Sequence, residues 1–322
     1  MKSYEPTTKE IWSGRNSYEK LYLHEKIECV DLEKDKEHIK ETKSFGILGY
    51  ACDEGVKRNQ GRIGAVEGPD AIRNALGKLP NHILETTSII DYGTICCLDG
   101  NMEKAQKNLS QKVTYLLHLN TFPILFGGGH DIAYAHYNGI KNHVGSDKKI
   151  GIINFDAHFD LRSNQKGSNS GTPFYEIAQD CKKEGAEFKY LCLGIRKDAN
   201  DRQLFETANK LGVEFIENYK FSIENAEIIV RKLLDFLRQI DHAYITIDLD
   251  GFSSAYAPGV SAPSAMGFSP NMVLKSLEVI IASKKLISFD IAELNPTWDI
   301  DNRTSKLAAS LVHFVLQQVA KA

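Results

Sequence analysis

Ile150-Gly151-Ile152-Ile153-Asn154-Phe155-Asp156-Ala157-His158-Phe159-Asp160 is the stretch that decides the fold. Its first six residues are almost continuously apolar, which marks a strand buried on both faces, and such strands belong to parallel sheets covered by helices on either side. The rest sets acids and an imidazole at alternate positions. An extended chain points residues i, i+2 and i+4 to one side, so Asp156, His158 and Asp160 are expected to converge on one point. Charges that end a buried strand need partners.

Outward from this strand, short apolar runs recur near 45–51, 88–92, 122–126, 189–194, 213–217, 243–248 and 285–290, giving eight strands in all. Between them, segments near 69–79, 102–119, 131–143, 174–184, 200–211, 223–240, 270–283 and 300–320 carry apolar residues at helical spacing. Gly68-Pro69-Asp70 and Ser269-Pro270 set a proline at a first helical position. The alternation predicts an α/β fold, a three-layer α/β/α sandwich around a mainly parallel eight-stranded sheet. Residues 1–43, rich in Lys and Glu with scattered apolar residues such as Ile11, Trp12, Leu21 and Tyr22, read as an N-terminal arm packed on the outside of the core. Residues 44–322 read as a single catalytic domain.

The 322 residues carry a formal net charge of -3, too near neutrality for capture of nucleic acid or of an anionic membrane. No apolar run approaches the ~20 residues of a membrane span, and a soluble cytoplasmic protein is expected. The six cysteines form no C-x-x-C pair and read as free thiols in a reducing compartment.

Two further elements resemble the first in chemistry. Gly127-Gly128-Gly129-His130-Asp131 and Thr246-Ile247-Asp248-Leu249-Asp250 each follow an apolar run, so they sit at the carboxyl ends of strands, where ligands of open α/β sheets collect. Four carboxylates in one place repel one another unless cations neutralise them, and with two imidazoles they suit a pair of divalent metals. The oxygen-rich, thiolate-free set favours manganese over zinc, with nickel, cobalt and iron as alternatives for the same shell. Glu293, in Asp290-Ile291-Ala292-Glu293-Leu294-Asn295-Pro296, is suited to grip a planar cation by two parallel hydrogen bonds. The histidines at 24, 38, 82, 118, 136, 143, 242 and 313 receive no role. The competing reading of the cluster is a metal staple or a metal-sensing module without catalysis.

GGGHD at 127–131, FDAHFDLR at 155–162, DLDGFSSAYAPGVSAP at 248–263 and DIAELNP at 290–296 resemble the ureohydrolase superfamily of arginases, agmatinases and formimidoylglutamases. The chain is most similar to the formimidoylglutamase branch, through Trp12-Ser13-Gly14-Arg15, residues 53–62, and Ser170-Gly171-Thr172-Pro173-Phe174. The resemblance implies an arginase-like fold, a homo-oligomer and two Mn2+ per subunit: one held by His130 and Asp160, the other by His158 and Asp250, with Asp156 and Asp248 bridging. It implies catalytic roles for Asp160 and Glu293.

Two departures bear on the substrate. Arginases and agmatinases carry a proton-shuttling histidine where this chain has Ser170, and arginases carry an uncharged amide where it has Arg162. Arg196 and Lys197 lie where arginases place acids. These changes favour a small-molecule amidino acid with an acidic tail, bound by Arg162 first, with Arg58, Asn59 and Ser170 beside it. The implied reaction is hydrolysis of N-formimidoyl-L-glutamate to L-glutamate and formamide by a dinuclear manganese-activated hydroxide, in histidine degradation. The alternative is a guanidinobutyrase or other guanidino-acid ureohydrolase releasing urea.

Overall fold

The computed structural model describes residues 2–17, 19–34 and 44–322. Two short strands, β1 (Tyr4–Glu5) and β2 (Glu28–Cys29), flank the one-turn helix α1 (Leu23–Lys26). Then come β3 (Ser44–Ala51), α2 (Glu54–Arg58), α3 (Gly68–Gly77), β4 (Ser88–Cys96), α4 (Met102–His118), β5 (Thr121–Phe126) and α5 (Ile132–Val144). The middle of the chain holds β6 (Ile150–Phe155), α6 (Pro173–Glu184), β7 (Lys189–Ile195), α7 (Arg202–Lys210) and β8 (Glu214–Glu217). Last are α8 (Ala226–Leu237), β9 (His242–Asp248), α9 (Pro270–Ala282), β10 (Leu286–Ala292) and α10 (Arg303–Lys321).

All eight strands expected from the sequence are present, in one ten-stranded sheet ordered β1-β4-β3-β5-β10-β9-β6-β7-β8, with β2 also on β4. Every pairing is parallel except that of β1 with β4. The pleat divides β6 between two cores. Ile153 and Phe155 join the side covered by α3, α8, α9 and α10, whereas Ile150 and Ile152 join the side covered by α4, α5 and α6. Both faces are therefore dry, as the apolar run requires. Phe155 has no exposed surface, and cutting it to Ala would cost about 3–5 kcal/mol.

The two extra strands come from the N-terminal segment, which lies in the sheet as well as against it. Tyr4 pairs with Ile95, and Glu28 with Ile90. Trp12 is buried, its indole N–H donating to Asp91 Oδ2 at 2.8 Å, and the buried Arg73 donates to both oxygens of the same carboxylate at 2.8 and 3.0 Å. One internal charge is thus paired and hydrogen-bonded on all sides. Two-residue strands carry no periodicity, so the sequence offered only an outer arm. The boundary read between residues 43 and 44 adjoins residues 35–43, which lie outside the described residues, as does His38.

Candidate metal centre and its rim

Four adjacent strands, β5, β10, β9 and β6, deliver the site. At their carboxyl ends stand His130 after β5, Glu293 after β10, Asp248 closing β9, and Asp156 just past β6. The expected alternation along an extended strand is not how the ligands converge. β6 ends at Phe155 and Asp250 lies in a 3-10 turn, Leu249–Gly251. Two matching turns do the work instead: Asp156 Oδ1 accepts from the N–H of His158 at 2.7 Å, and Asp248 Oδ1 accepts from the N–H of Asp250 at 2.8 Å. A carboxylate that bonds its own backbone two residues on folds the chain back on itself. In each case one ligand builds the turn that presents the next.

His130 is placed by close backbone approach. A Cβ on Gly128 would stand 1.9 Å from the carbonyl oxygen of Cys52, and that oxygen accepts from Gly129 N–H at 2.9 Å. Only glycine fits there. The next residue, Asp131, is buried and accepts from Tyr50 OH at 2.7 Å. The loop after β6 is pinned from the other side by Asn200, which accepts from Phe159 N–H at 3.0 Å and donates to Ala157 O at 2.8 Å. Asp160 and Glu293 both adopt left-handed backbone, with φ 48° and 68°. Such a conformation costs a non-glycine residue about 1–2 kcal/mol and is characteristic of residues held for function.

The side chains form two overlapping groups. His130, Asp156, Asp160 and Asp248 offer ligand atoms within 4.8 Å of one another, and so do Asp156, His158 and Asp250. Asp156 belongs to both; Asp248 falls in the first. Oxygens of Asp156, Asp160 and Asp248 stand 3.2, 2.9 and 3.1 Å from His130 Nδ1, yet that nitrogen has no hydrogen-bond partner among the described residues, and neither has Asp250 Oδ1. Buried polar atoms crowded together but out of line for hydrogen bonding suit a coordination shell. The residues fit a pair of divalent ions.

The charge balance agrees. Burial and the neighbouring Asp250 and Asp156 raise Asp248 well above the carboxylate range, burial and Asp156 raise Asp160, and burial pushes Asp250 up to about 6. Glu293 is raised by burial and by Asp248. Asp156 alone is held low: burial opposes its charge, but His130 and His158 flank it on both sides. Carboxyls raised by burial and by one another carry, once ionised, more negative charge than their surroundings neutralise.

Above the ligands lies a cavity of about 340 Å3 whose wall includes Asn59, Arg162, Ser170 and Glu293 together with His130, His158, Asp160, Asp248 and Asp250, while Asp156 lies beneath it. Its rim is two tied loops. Ser170 N–H donates to Gly55 O at 3.1 Å, Asn59 Nδ2 donates to Ser170 Oγ at 3.2 Å, and Arg162 N–H donates to Gly171 O at 2.9 Å. The Arg162 guanidinium has no acceptor among the described residues. Arg58 is placed otherwise. It is taken up by Glu103, Glu54 and the carbonyls of Gly100 and Ser168, and it lines the adjoining cavity of about 680 Å3. Arg196 and Lys197 also lie outside the main cavity, paired with Asp198 and Glu217.

The sequence reading missed several site residues. Gln60, Arg62, Ser261 and Ala262 also line the wall, and Arg62 fastens the loop carrying Ser261 by donating to Ser261 O at 2.9 Å while stacking 4.4 Å over Trp298. The run Asn59-Gln60-Gly61-Arg62 was the available signal, since a glycine between polar residues and an arginine marks a loop rather than core.

An Arginase-family sequence profile matches residues 43–317. The chain belongs to the arginase family. Among its relatives, the formimidoylglutamase of Clostridium tetani (strain Massachusetts / E88) is 39% identical over 328 residues, covering 99% of this chain and 97% of that protein. The structure of formimidoylglutamase from Bacillus subtilis superposes with a TM-score of 0.82 at 21% identity, over 96% of this chain and 94% of that one. Trypanosoma cruzi formiminoglutamase, solved with Mn2+, gives 0.77 at 23% identity over 88% and 95%. These two likenesses concern the fold. No helix among the described residues is long and apolar enough to cross a membrane.

Proposed function

We propose that this chain is a metal-dependent amidine hydrolase that converts N-formimidoyl-L-glutamate and water to L-glutamate and formamide, as in histidine degradation. The observation that carries the reading is one cavity lined both by five of the six ligand residues, with Asp156 beneath them shared by the two groups, and by an Arg162 whose guanidinium has no acceptor among the described residues. The near 40% identity to relatives named formimidoylglutamase over almost the whole chain supports it. Two manganese ions would be held by His130, Asp156, Asp160, His158, Asp248 and Asp250. When bound, they supply the chemistry of a Lewis acid, bringing the pKa of water from about 15.7 down toward neutrality.

The chain's own groups do the rest. Glu293 Oε1 accepts from the N–H of His130 at 2.9 Å, which fixes the carboxylate at the cavity wall. There it pairs with the cationic formimidoyl group and orients its carbon. Asp160 takes the proton of the attacking water and delivers it to the glutamate nitrogen as the carbon–nitrogen bond breaks. Arg162 meets a carboxylate of the tail, with Asn59 and Ser170 beside it. Where arginases carry a shuttle histidine this chain has Ser170, so protons at the rim would pass by a looser route through its hydroxyl and water. Arg58, tied to Glu103, steadies the rim rather than touching substrate.

A cytoplasmic location, a homo-oligomeric assembly, and a division into an arm of residues 1–43 and a catalytic domain of residues 44–322 go with this reading. The test is product analysis with manganese-loaded protein, offered N-formimidoyl-L-glutamate and 4-guanidinobutyrate in turn. Formamide and glutamate as the dominant products are expected. Urea as the dominant product would overturn the assignment in favour of a guanidino-acid hydrolase, and no turnover of either would favour a structural metal site.

A further inference from the structure

Beneath His130 runs a chain of buried hydrogen bonds that the catalytic reading does not use. His130 Nε2 lies 2.9 Å from Thr246 Oγ1, whose hydroxyl donates to Asp290 Oδ1 at 2.5 Å. Register places the pair: β10 and β9 run parallel with Asp290 beside Thr246. The other oxygen, Asp290 Oδ2, accepts from Tyr244 OH and lies 2.6 Å from His136 Nδ1. None of Thr246, Tyr244, His136 and Asp290 has any exposed surface, so no water can substitute for a missing bond.

The carboxylate gives this chain a direction. A carboxylate only accepts and a threonine hydroxyl has one proton, so Thr246, having donated to Asp290, can only accept from His130. Nε2 must then carry a proton, and Nδ1 is the ring atom left to offer a lone pair. Nδ1 is the atom that faces Asp156, Asp160 and Asp248 and has no hydrogen-bond partner. We infer that Asp290, acting through Thr246, is a positioning residue that locks His130 in the Nε2–H form and so prepares Nδ1 for the metal. Ring orientation and tautomer of a ligand histidine are commonly set by the bond its other nitrogen makes. The inference rests on His130 being a ligand and is independent of which amidine is hydrolysed.

Asp290→Asn reverses the chain. Tyr244 and His136 both point at Oδ2, whereas Thr246 alone points at Oδ1, so the amide NH2 meets fewer opposing donors on the Thr246 side. There it would donate to Thr246, which would turn its own proton onto Nε2 and leave the ring protonated on Nδ1. Manganese affinity, measured by competition titration against a chelator, should fall about 10–100-fold. Thr246→Val, which removes the acceptor without changing size, should weaken binding comparably, and Thr246→Ser should restore it. Nitrogen-15 NMR of histidine-labelled wild type loaded with diamagnetic zinc should show the His130 proton on Nε2. A bare Nε2 in wild type, or wild-type manganese affinity in either Asp290→Asn or Thr246→Val, would overturn the inference. The substrate assay plays no part here, so failure of the assignment to formimidoyl-glutamate leaves these readouts unchanged.

Discussion

The floor and the rim of the cavity are built on opposite principles. Three ligands of the floor are closely held: Asp156 and Asp248 bond their own turns, and His130 is bracketed by Glu293 at its N–H and Thr246 at its ring. The rim carries Asn59 and Arg162 exposed on loops, and the Arg162 guanidinium has no partner among the described residues, only its backbone N–H being held. A rigid floor does the bond chemistry and a looser rim chooses the substrate. If that division is sound, changes below should strike metal binding and kcat, and changes above should strike KM.

The largest effect is expected from Asp156→Asn, because Asp156 belongs to both ligand groups. Both ions should be weakened together, and activity at fixed manganese should fall more than the roughly 10–100-fold typical of groups that only support a ligand. Metal content and turnover measured on the same sample check this. Glu293→Gln keeps the shape but removes the charge facing the amidine, and kcat/KM should drop about 100-fold with manganese content unchanged. Loss of metal from that variant would place Glu293 with the floor instead.

Arg162→Gln addresses the rim. A hydrogen bond to a charged group contributes about 1.5–3 kcal/mol, so KM should rise about 10–100-fold while kcat stays within a few-fold. A fall in kcat alone would break the proposed division. A subtler effect concerns metal-stripped protein. Asp250 is raised to about 6, and Asp160, Asp248 and Glu293 are raised too, all by burial first. Above the ordinary carboxyl range near 4, the folded state therefore keeps protons that the unfolded chain has released, and stability falls as pH rises through the folded values. His158 acts in the same direction: burial opposes its charge, but Asp250 and Asp156 raise it overall. The melting temperature of stripped protein should decline from about pH 5 to pH 8, and added manganese should recover most at the alkaline end. A flat profile would mean the floor carries no excess charge. The smallest effect is Arg58→Ala, which removes a partly exposed ion pair contributing about 0–1 kcal/mol, with KM changed less than about two-fold.

The same contrast explains what could be read from the sequence. The strands and the six floor residues were legible because burial on both faces and clustered acids leave strong local patterns, as in residues 150–160. The way Asp156 and Asp248 converge was not, since a turn closed by a carboxylate and an extended strand share the spacing i, i+2. The rim failed for a different reason. Arg58 and Arg162 look alike in the sequence, and only the fold brings Glu103, 45 residues away, onto one of them. His136 seemed idle for the same cause, its partner Asp290 lying 154 residues further on. Tyr4 and Glu28 lie in two-residue strands too short in pattern to announce themselves.

Those first residues have a consequence outside catalysis. β4 is nine residues long and rich in isoleucine, and among the described residues only β1 and β2 occupy its outer side. An open edge of that length is a template for another chain to pair with. Loss of the leading thirty residues, by clipping or by careless trimming of an expression clone, would therefore show itself first as turbidity and fibrillar association, with the ligand cluster on its own four strands still intact.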